Sequence, residues 1–228
     1  MNIAIVPARA GSKRIKNKNI KNFLGKPIIS YVIKEAIKSK IFDDIIVSTN
    51  SDKIKKIAKN CGAKVYFKRP KNLSTDKVTT QKVIIHCLEW LKKKNILINN
   101  VCCIYPTAIF TQASDLKKSF NFIKNNKYSF VIASQKYSTQ IERAFTIVNN
   151  KILQVDKKKF LINSHNFKDF YYDAGQFYWG TVNSWYSKNT LLNNNSIIYE
   201  LKKYQSIDIN THDDWKLALK LYKFNKNF

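Results

Sequence analysis

Before residue 70, three short apolar runs alternate with two amphipathic stretches, and this restricts the fold more than any other feature of the chain. Ile3 to Val6 is β-branched and stops at Pro7, which predicts a short buried strand. Asp44 to Thr49 and Lys64 to Phe67 read as a second and a third strand. Between them, Pro27 opens a helical pattern through Ile28, Ile29, Val32, Ile33, Ala36 and Ile37. Asn50-Ser51-Asp52 caps another helix carrying Ile54, Ile57 and Ala58, with Gly62 as its C-terminal stop. An order of β-α-β-α-β predicts a mostly parallel sheet with right-handed crossovers.

The remaining elements extend that scheme. Thr79-Thr80 leads into a helix with Val83, Ile84, Cys87, Leu88 and Leu91. Val101 to Tyr105 is the central-strand candidate, and Ser114-Asp115 opens the next helix. Phe130 to Ser134 reads as a strand, and Ala144 to Val155 as a hairpin turning at Asn149-Asn150. Tyr171 to Gly180 is an aromatic strand, and Trp215 to Leu221 a final helix. No repeats, linkers or detachable tails break the chain, so residues 1–228 are expected to form a single domain.

A basic loop with one glycine follows the first strand: Arg9, Gly11, Ser12, Lys13, Arg14, Lys16 and Lys18. Strand, cationic loop and helix is the order that sets a phosphate chain beyond the carboxyl end of a parallel strand. Gly11 allows close backbone approach, and Arg9 can grip phosphate oxygens through two parallel bonds. The loop has neither the P-loop nor the dinucleotide glycine spacing, so a solvated basic turn is the competing explanation.

The formal net charge of +26 raises the question of nucleic acid. The lysines are spread over nearly every helix and loop, and the only arginines are Arg9, Arg14, Arg69 and Arg143. That spread speaks for a compositional habit that steers anionic substrates, with no nucleic-acid partner expected. No apolar run approaches a membrane span, and the N-terminus lacks a signal-peptide pattern, so no membrane partner is expected. Cys61, Cys87, Cys102 and Cys103 lack metal-ligand spacing. Cys102 and Cys103 read as small core residues, and the reducing cytoplasm is the expected compartment.

Three further stretches offer chemistry. Arg69-Pro-Lys-Asn-Leu-Ser-Thr-Asp76 is a loop after a parallel strand, where Arg69 and hydroxyls could meet a nucleotide, although a surface arginine is the plainer reading. His86 reads as packing and His165 as a loop residue. In Tyr171-Tyr-Asp-Ala-Gly-Gln-Phe-Tyr-Trp-Gly180 the aromatics suit either a core strand or a sugar platform, with Gly175 permitting approach and Gln176 offering donor and acceptor. Asp208 and Asn210 in Ser206-Ile-Asp-Ile-Asn-Thr211 alternate on one face of an expected strand as two oxygen ligands, the donor type that suits Mg²⁺ beside substrate phosphates. Thr211 or Asp213 could instead cap the last helix.

Taken in order, A-R-A-G-S-K-R-I with K-N-I and G-K-P-I-I, then R-P…L-S, Y-P-T-A and S-I-D-I-N-T, resemble the landmarks of the CMP-sugar synthetases over essentially the full length. The resemblance implies a three-layer α/β/α, Rossmann-like fold of the nucleotide-diphospho-sugar-transferase type, with a small hairpin arm. It implies a nucleotide site of Ala8, Arg9, Gly11, Ser12, Lys13, Lys18, Asn19, Arg69, Thr79 and Thr80. Tyr105 and Thr107 fall where the family meets its sugar, and Asp173, Gly175, Gln176 and Tyr178 join them on the aromatic strand. Metal ligands would be Asp208 and Asn210, and Arg9, Lys18 and Asp208 would carry catalysis. C-C-I-Y-P-T-A, the Tyr171–Gly180 string and Trp215 resemble the branch that activates pseudaminic acid; the sialic acid branch carries a Q-P-T-S-P-L-R type stretch.

The implied reaction joins CTP and an acidic nine-carbon sugar into a CMP-sugar and pyrophosphate with Mg²⁺, supplying surface-glycan or flagellin glycosylation. A homodimer is implied as well, with residues near 137 to 172 at its interface. Two positions depart from the family pattern: D-I-N replaces the usual D-I-D, leaving Asp208 the only carboxylate of the pair, and Ile109 stands where proline is common. Competing readings are the same chemistry on sialic, legionaminic or 3-deoxy-octulosonic acid, a relative that binds nucleotide without turnover, and a basic nucleic-acid-binding protein. The last would need concentrated charge among base-stacking aromatics, and the aromatics here sit in apolar strands.

Overall fold

A computed structural model describes residues 1–125, 127–159, 167–188 and 190–226, apart from the side chains of residues 225 and 226. Six strands form the main sheet in the order β10-β6-β9-β5-β1-β4. These are β1 (Asn2–Pro7), β4 (Asp44–Ser48), β5 (Asn100–Ile104), β6 (Phe130–Lys136), β9 (Tyr171–Thr181) and β10 (Ser196–Glu200). Strand β1 pairs in parallel with both β4 and β5. Strand β9 is wedged antiparallel between β5 and β6, and β10 adds to β6 in parallel.

The strand alternation of period two sorts the core into two faces. Ala4, Val6, Cys102, Ile104 and Trp179 face α1 (Ile29–Ser39), α2 (Asp52–Asn60) and α4 (Ala113–Ile123). Ile3, Ile5, Val101, Cys103 and Tyr178 face α3 (Thr80–Lys92) and α5 (Val182–Tyr186). The outcome is the expected three-layer α/β/α arrangement. The cysteine pair thus contributes one thiol to each face, and burial pushes both thiols up well beyond their usual range. A third apolar cluster lies beyond the sheet end, where Ile15, Phe23, Ile28, Ile209 and Trp215 lock the basic loop to α6 (His212–Lys226).

Four sequence expectations change. Pro27 does not begin a helix: it pairs with Asn22 in the short ladder of β2 (Asn22–Phe23) and β3 (Lys26–Pro27), and α1 starts at Ile29. The segment Lys64 to Phe67 is not a full strand, because only Lys64 and Lys68 bridge to β4 and its end while Tyr66 and Phe67 turn their rings against Trp90. The stretch around Asp208 is not a strand either. The Asn210 and Thr211 amides donate to the Asp214 carboxylate, and the Thr211 hydroxyl accepts from the Asp214 amide at 3.2 Å, so the chain turns into a capped helix. Neither β10 nor α5 was anticipated.

The hairpin is present as β7 (Phe145–Val148) and β8 (Lys151–Gln154), with both turn asparagines at positive φ. His86 packs edge-on to Phe67, and burial together with Arg69 and Lys93 holds its pKa below the usual histidine value. His165 and part of the 137–172 arm lie outside the described residues.

Gly180 sits where β9 crosses Phe130 and Trp185. A Cβ there would come within 2.7 Å of the Phe130 ring and 2.8 Å of the Trp185 indole nitrogen, both fully buried. Gly180→Ala is therefore expected to lower unfolding stability by about 1–3 kcal/mol through overpacking, read from urea denaturation; an unchanged midpoint would show that the two rings yield freely.

Candidate active site

The site forms where β1 ends. The Ala8 amide still donates to Ser48 at the end of β4, so the chain leaves the sheet only after Ala8. The loop is then tied back by two side chains: Asn50 accepts from the Ala10 amide at 2.8 Å, and Asn19 donates to the Arg9 carbonyl at 3.0 Å. Gly11 has φ of +88° and nothing within 4 Å of a hypothetical Cβ, so it serves the turn and leaves its surroundings open. A 3₁₀ turn, Lys18–Ile20, aims Lys18 across to the Ile209 carbonyl at 2.6 Å.

Arg69 arrives from the other side. Its amide donates to the Thr49 carbonyl at 2.8 Å, so the partial pairing along β4 delivers it to the same end of the sheet. Only 3% of the residue is exposed, yet Nε and Nη2 have no hydrogen-bond partner among the described residues. Burial, more than the neighbouring Arg9, brings its pKa down to about 10. Lys18 is likewise held below the usual lysine value, chiefly by burial and then by Arg14 and Arg9, with Asp208 acting the other way. A buried cation without a counter-charge is costly, and a polyanion between these side chains would relieve it.

Such a space exists: a cavity of about 290 Å³ is lined by Arg9, Ser12, Lys18, Asn19 and Arg69, and further by Thr80, Tyr105, Thr107, Asp208 and Asn210. Tyr105 bonds Thr80 at 2.9 Å. The other expected site residues are not part of that lining. Ala8 is fully buried; Lys13 is exposed and paired with Asp76; and Thr79 caps α3, accepting from the Lys82 amide at 3.4 Å. Gln176 is 1% exposed, with its amide spent on Thr111 and Ala174, so the fold leaves it no reach to a sugar. Tyr178 is buried and donates to the Asp173 carboxylate at 2.9 Å, standing behind Tyr105 with the two rings edge to face. Gly175 has φ of +60°, and a Cβ there would make an ordinary contact with Asp208, 3.7 Å from its Cγ.

Asp208 and Asn210 do meet at the rim, Asn210 donating to the Asp208 carboxylate. The Asn210 oxygen, however, accepts from Arg14 at 2.9 Å. Asp208 thus suits a hard cation shared with phosphate oxygens, while one lone pair of the Asn210 oxygen is already engaged by Arg14. Among the described residues no three His, Cys, Asp or Glu side chains gather as a ready cation site. Sequence reasoning missed Asp76 and the partner of Asn210. An acid in the hydroxyl-rich 74–76 loop was the only hint of the first, and nothing local announced the second.

The family profile described as Cytidylyltransferase matches residues 3–224. This chain belongs to that family. The cytidylyltransferase is 37% identical over 225 residues to the pseudaminic acid cytidylyltransferase of Campylobacter jejuni serotype O:2, a match covering 98% of this chain and 97% of that protein. It is 29% identical over 238 residues to the CMP-N,N'-diacetyllegionaminic acid synthase of Legionella pneumophila, covering 98% and 97%. Among solved structures, the CMP:2-keto-3-deoxy-manno-octonic acid synthetase complexed with CTP shares the fold with a TM-score of 0.72 at 13% identity, over 98% of this chain and 99% of that one.

Exchanging the unpaired guanidinium for an apolar chain of similar length separates stability from binding. Arg69→Met is expected to stabilise the ligand-free cytidylyltransferase by about 1–3 kcal/mol in denaturant while abolishing its thermal stabilisation by CTP. A loss of stability without ligand would mean that Arg69 is already satisfied inside the fold.

Proposed function

We propose that this cytidylyltransferase activates pseudaminic acid, converting CTP and the sugar into CMP-pseudaminic acid and pyrophosphate. The observation that carries the reading is the convergence of Arg9, Lys18 and the unpaired, buried Arg69 on one cavity at the carboxyl end of the parallel strands. A triphosphate matches that charge, and near full-length similarity to the Campylobacter enzyme supports the nucleotide and the sugar class.

In this scheme the Gly11 and Ser12 backbone, Arg9 and Lys13 hold the triphosphate, and Lys18 faces the α-phosphate. The anomeric hydroxyl of the sugar attacks the α-phosphorus in line, its oxygen forms the new P–O bond as its proton passes to solvent water, and the bond to pyrophosphate breaks. Lys18, Arg9 and Arg69 stabilise negative charge on the phosphate oxygens, which is the larger part of catalysis in such transfers. Asp208 would hold Mg²⁺, which would supply Lewis acidity and charge neutralisation. Tyr105 and Thr107 line the side of the cavity assigned to the sugar, Tyr105 being steadied by Thr80 and by the Tyr178–Asp173 pair.

A homodimer is part of the proposal. The hairpin leaves Phe145, Ile147, Ile152, Leu153 and Val155 between 52% and 71% exposed, an apolar surface of the kind a second copy covers. Four free cysteines, three of them buried, support a cytoplasmic location. No helix among the described residues is long and apolar enough to cross a membrane.

Pyrophosphate release with CTP, Mg²⁺ and a panel of acidic sugars tests the assignment. Turnover is expected with pseudaminic acid; turnover only with sialic or legionaminic acid would keep the chemistry and overturn the sugar. Asn210→Asp checks the metal side: half-maximal rate is expected at lower Mg²⁺, with the rate at saturating metal rising less than about tenfold. A far larger gain would make the natural chain a nucleotide binder with crippled turnover.

A further inference from the structure

Asp76 has no place in the chemistry described above, yet it is the acid most closely engaged with the phosphate-binding loop. One carboxylate oxygen takes the Arg9 guanidinium, and the other takes the Lys13 ammonium at 3.0 Å. Asp76 and Arg9 also line the same cavity. A carboxylate that spends one oxygen on each of two cations imitates a bridging phosphate, and two anions cannot hold the same donors at full strength.

We infer that Asp76 is an internal competitor for the phosphate groups, giving up Arg9 and Lys13 as the triphosphate enters and taking them back as pyrophosphate leaves. The inference rests on the phosphate-binding role proposed for the first loop.

The surroundings favour exchange over a fixed support. The Asp76 side chain is 44% exposed, and residues 75–77 are all exposed, with one local backbone bond from the Val78 amide to Thr75 at 3.4 Å. Releasing Asp76 to water therefore disturbs little, and exposed ion pairs of this kind are individually weak. An incoming polyphosphate would also face the like charge of Asp76 across the cavity. Arg69 differs in that no acid among the described residues satisfies its Nε and Nη2. The cavity thus pairs a deep cation that demands an anion with an outer pair of cations already shared with one. Such sharing keeps nucleotide affinity moderate and hastens departure of a product bound through the same outer cations.

Calorimetric titration of the full chain with CTP, and separately with pyrophosphate, provides the test. Asp76→Asn is expected to bind both about three- to tenfold more tightly, the factor expected when two exposed ion pairs cease to compete. Asp76→Glu should return affinity toward the natural value, and thermal melts should show both variants folded. Unchanged or weaker binding by Asp76→Asn would overturn the inference, since it would make Asp76 a spectator or a support that orients Arg9 and Lys13. Should the natural chain bind pyrophosphate but not CTP, the cytidylyl-transfer reading fails while the pyrophosphate comparison still decides the role of Asp76. Binding of neither would sink both.

Discussion

Strand β1 is hydrogen-bonded on both edges and packed on both faces, with Ile3, Ala4, Ile5 and Val6 fully buried. Backbone amides and carbonyls in that position have no alternative partner, because water is excluded and each unpaired group would be costly. The registers of β4 and β5 against β1 follow from that demand, and so does the place where the backbone escapes. Past Ala8 the ladder stops, and the Ala10 amide turns to the Asn50 side chain at the carboxyl end of the sheet. The residues proposed to hold the nucleotide collect at that exit.

Charge at the exit is arranged against the protein's own stability. Arg69 is drawn in by a single backbone bond to Thr49 and buried with two guanidinium nitrogens unmatched. Lys18 is half-buried, with Arg14 and Arg9 close enough to lower its pKa further. An interior optimised for stability alone would place a carboxylate among these groups or replace them with apolar chains. Asp208 stands at the exposed rim and Asp76 on an exposed loop, so the depth of the cavity stays cationic. A binding site for a polyanion has this character, since the ligand completes the electrostatics that the fold leaves open.

The antiparallel β9 links this end of the sheet to the core. Phe177 and Trp179 pack into the α1–α4 side, and Tyr178 packs into the α3 side. The Tyr178 hydroxyl donates to the Asp173 carboxylate, and its ring stands edge to face with Tyr105. The same alternation that builds the core thus supports the cavity wall from behind, while Gly175 takes the positive φ that the strand needs beside Asp208. Gln176 shows the limit of reading such a strand for polarity: its amide is turned inward to satisfy Thr111.

The sequence by itself determined the layers and the contents of the loop. β-Branched runs between amphipathic helices are local signals, because period two and period 3.6 arise from the geometry of each element alone. The turn at Asn149-Asn150 was readable for the same reason, as adjacent asparagines tolerate positive φ. The order A-R-A-G-S-K to K-N likewise displayed the cations of the phosphate loop. Only the tertiary structure decided which of them face one another. Arg14 reaches Asn210 across 196 positions, Arg9 meets Asp76 across 67, and Tyr199 of the unanticipated β10 bonds Asp115 across 84. Such pairings cost nothing locally and leave no periodicity. They exist because sheet order brings distant loops to one edge, and burial then makes each polar group find a partner or, at Arg69, go without.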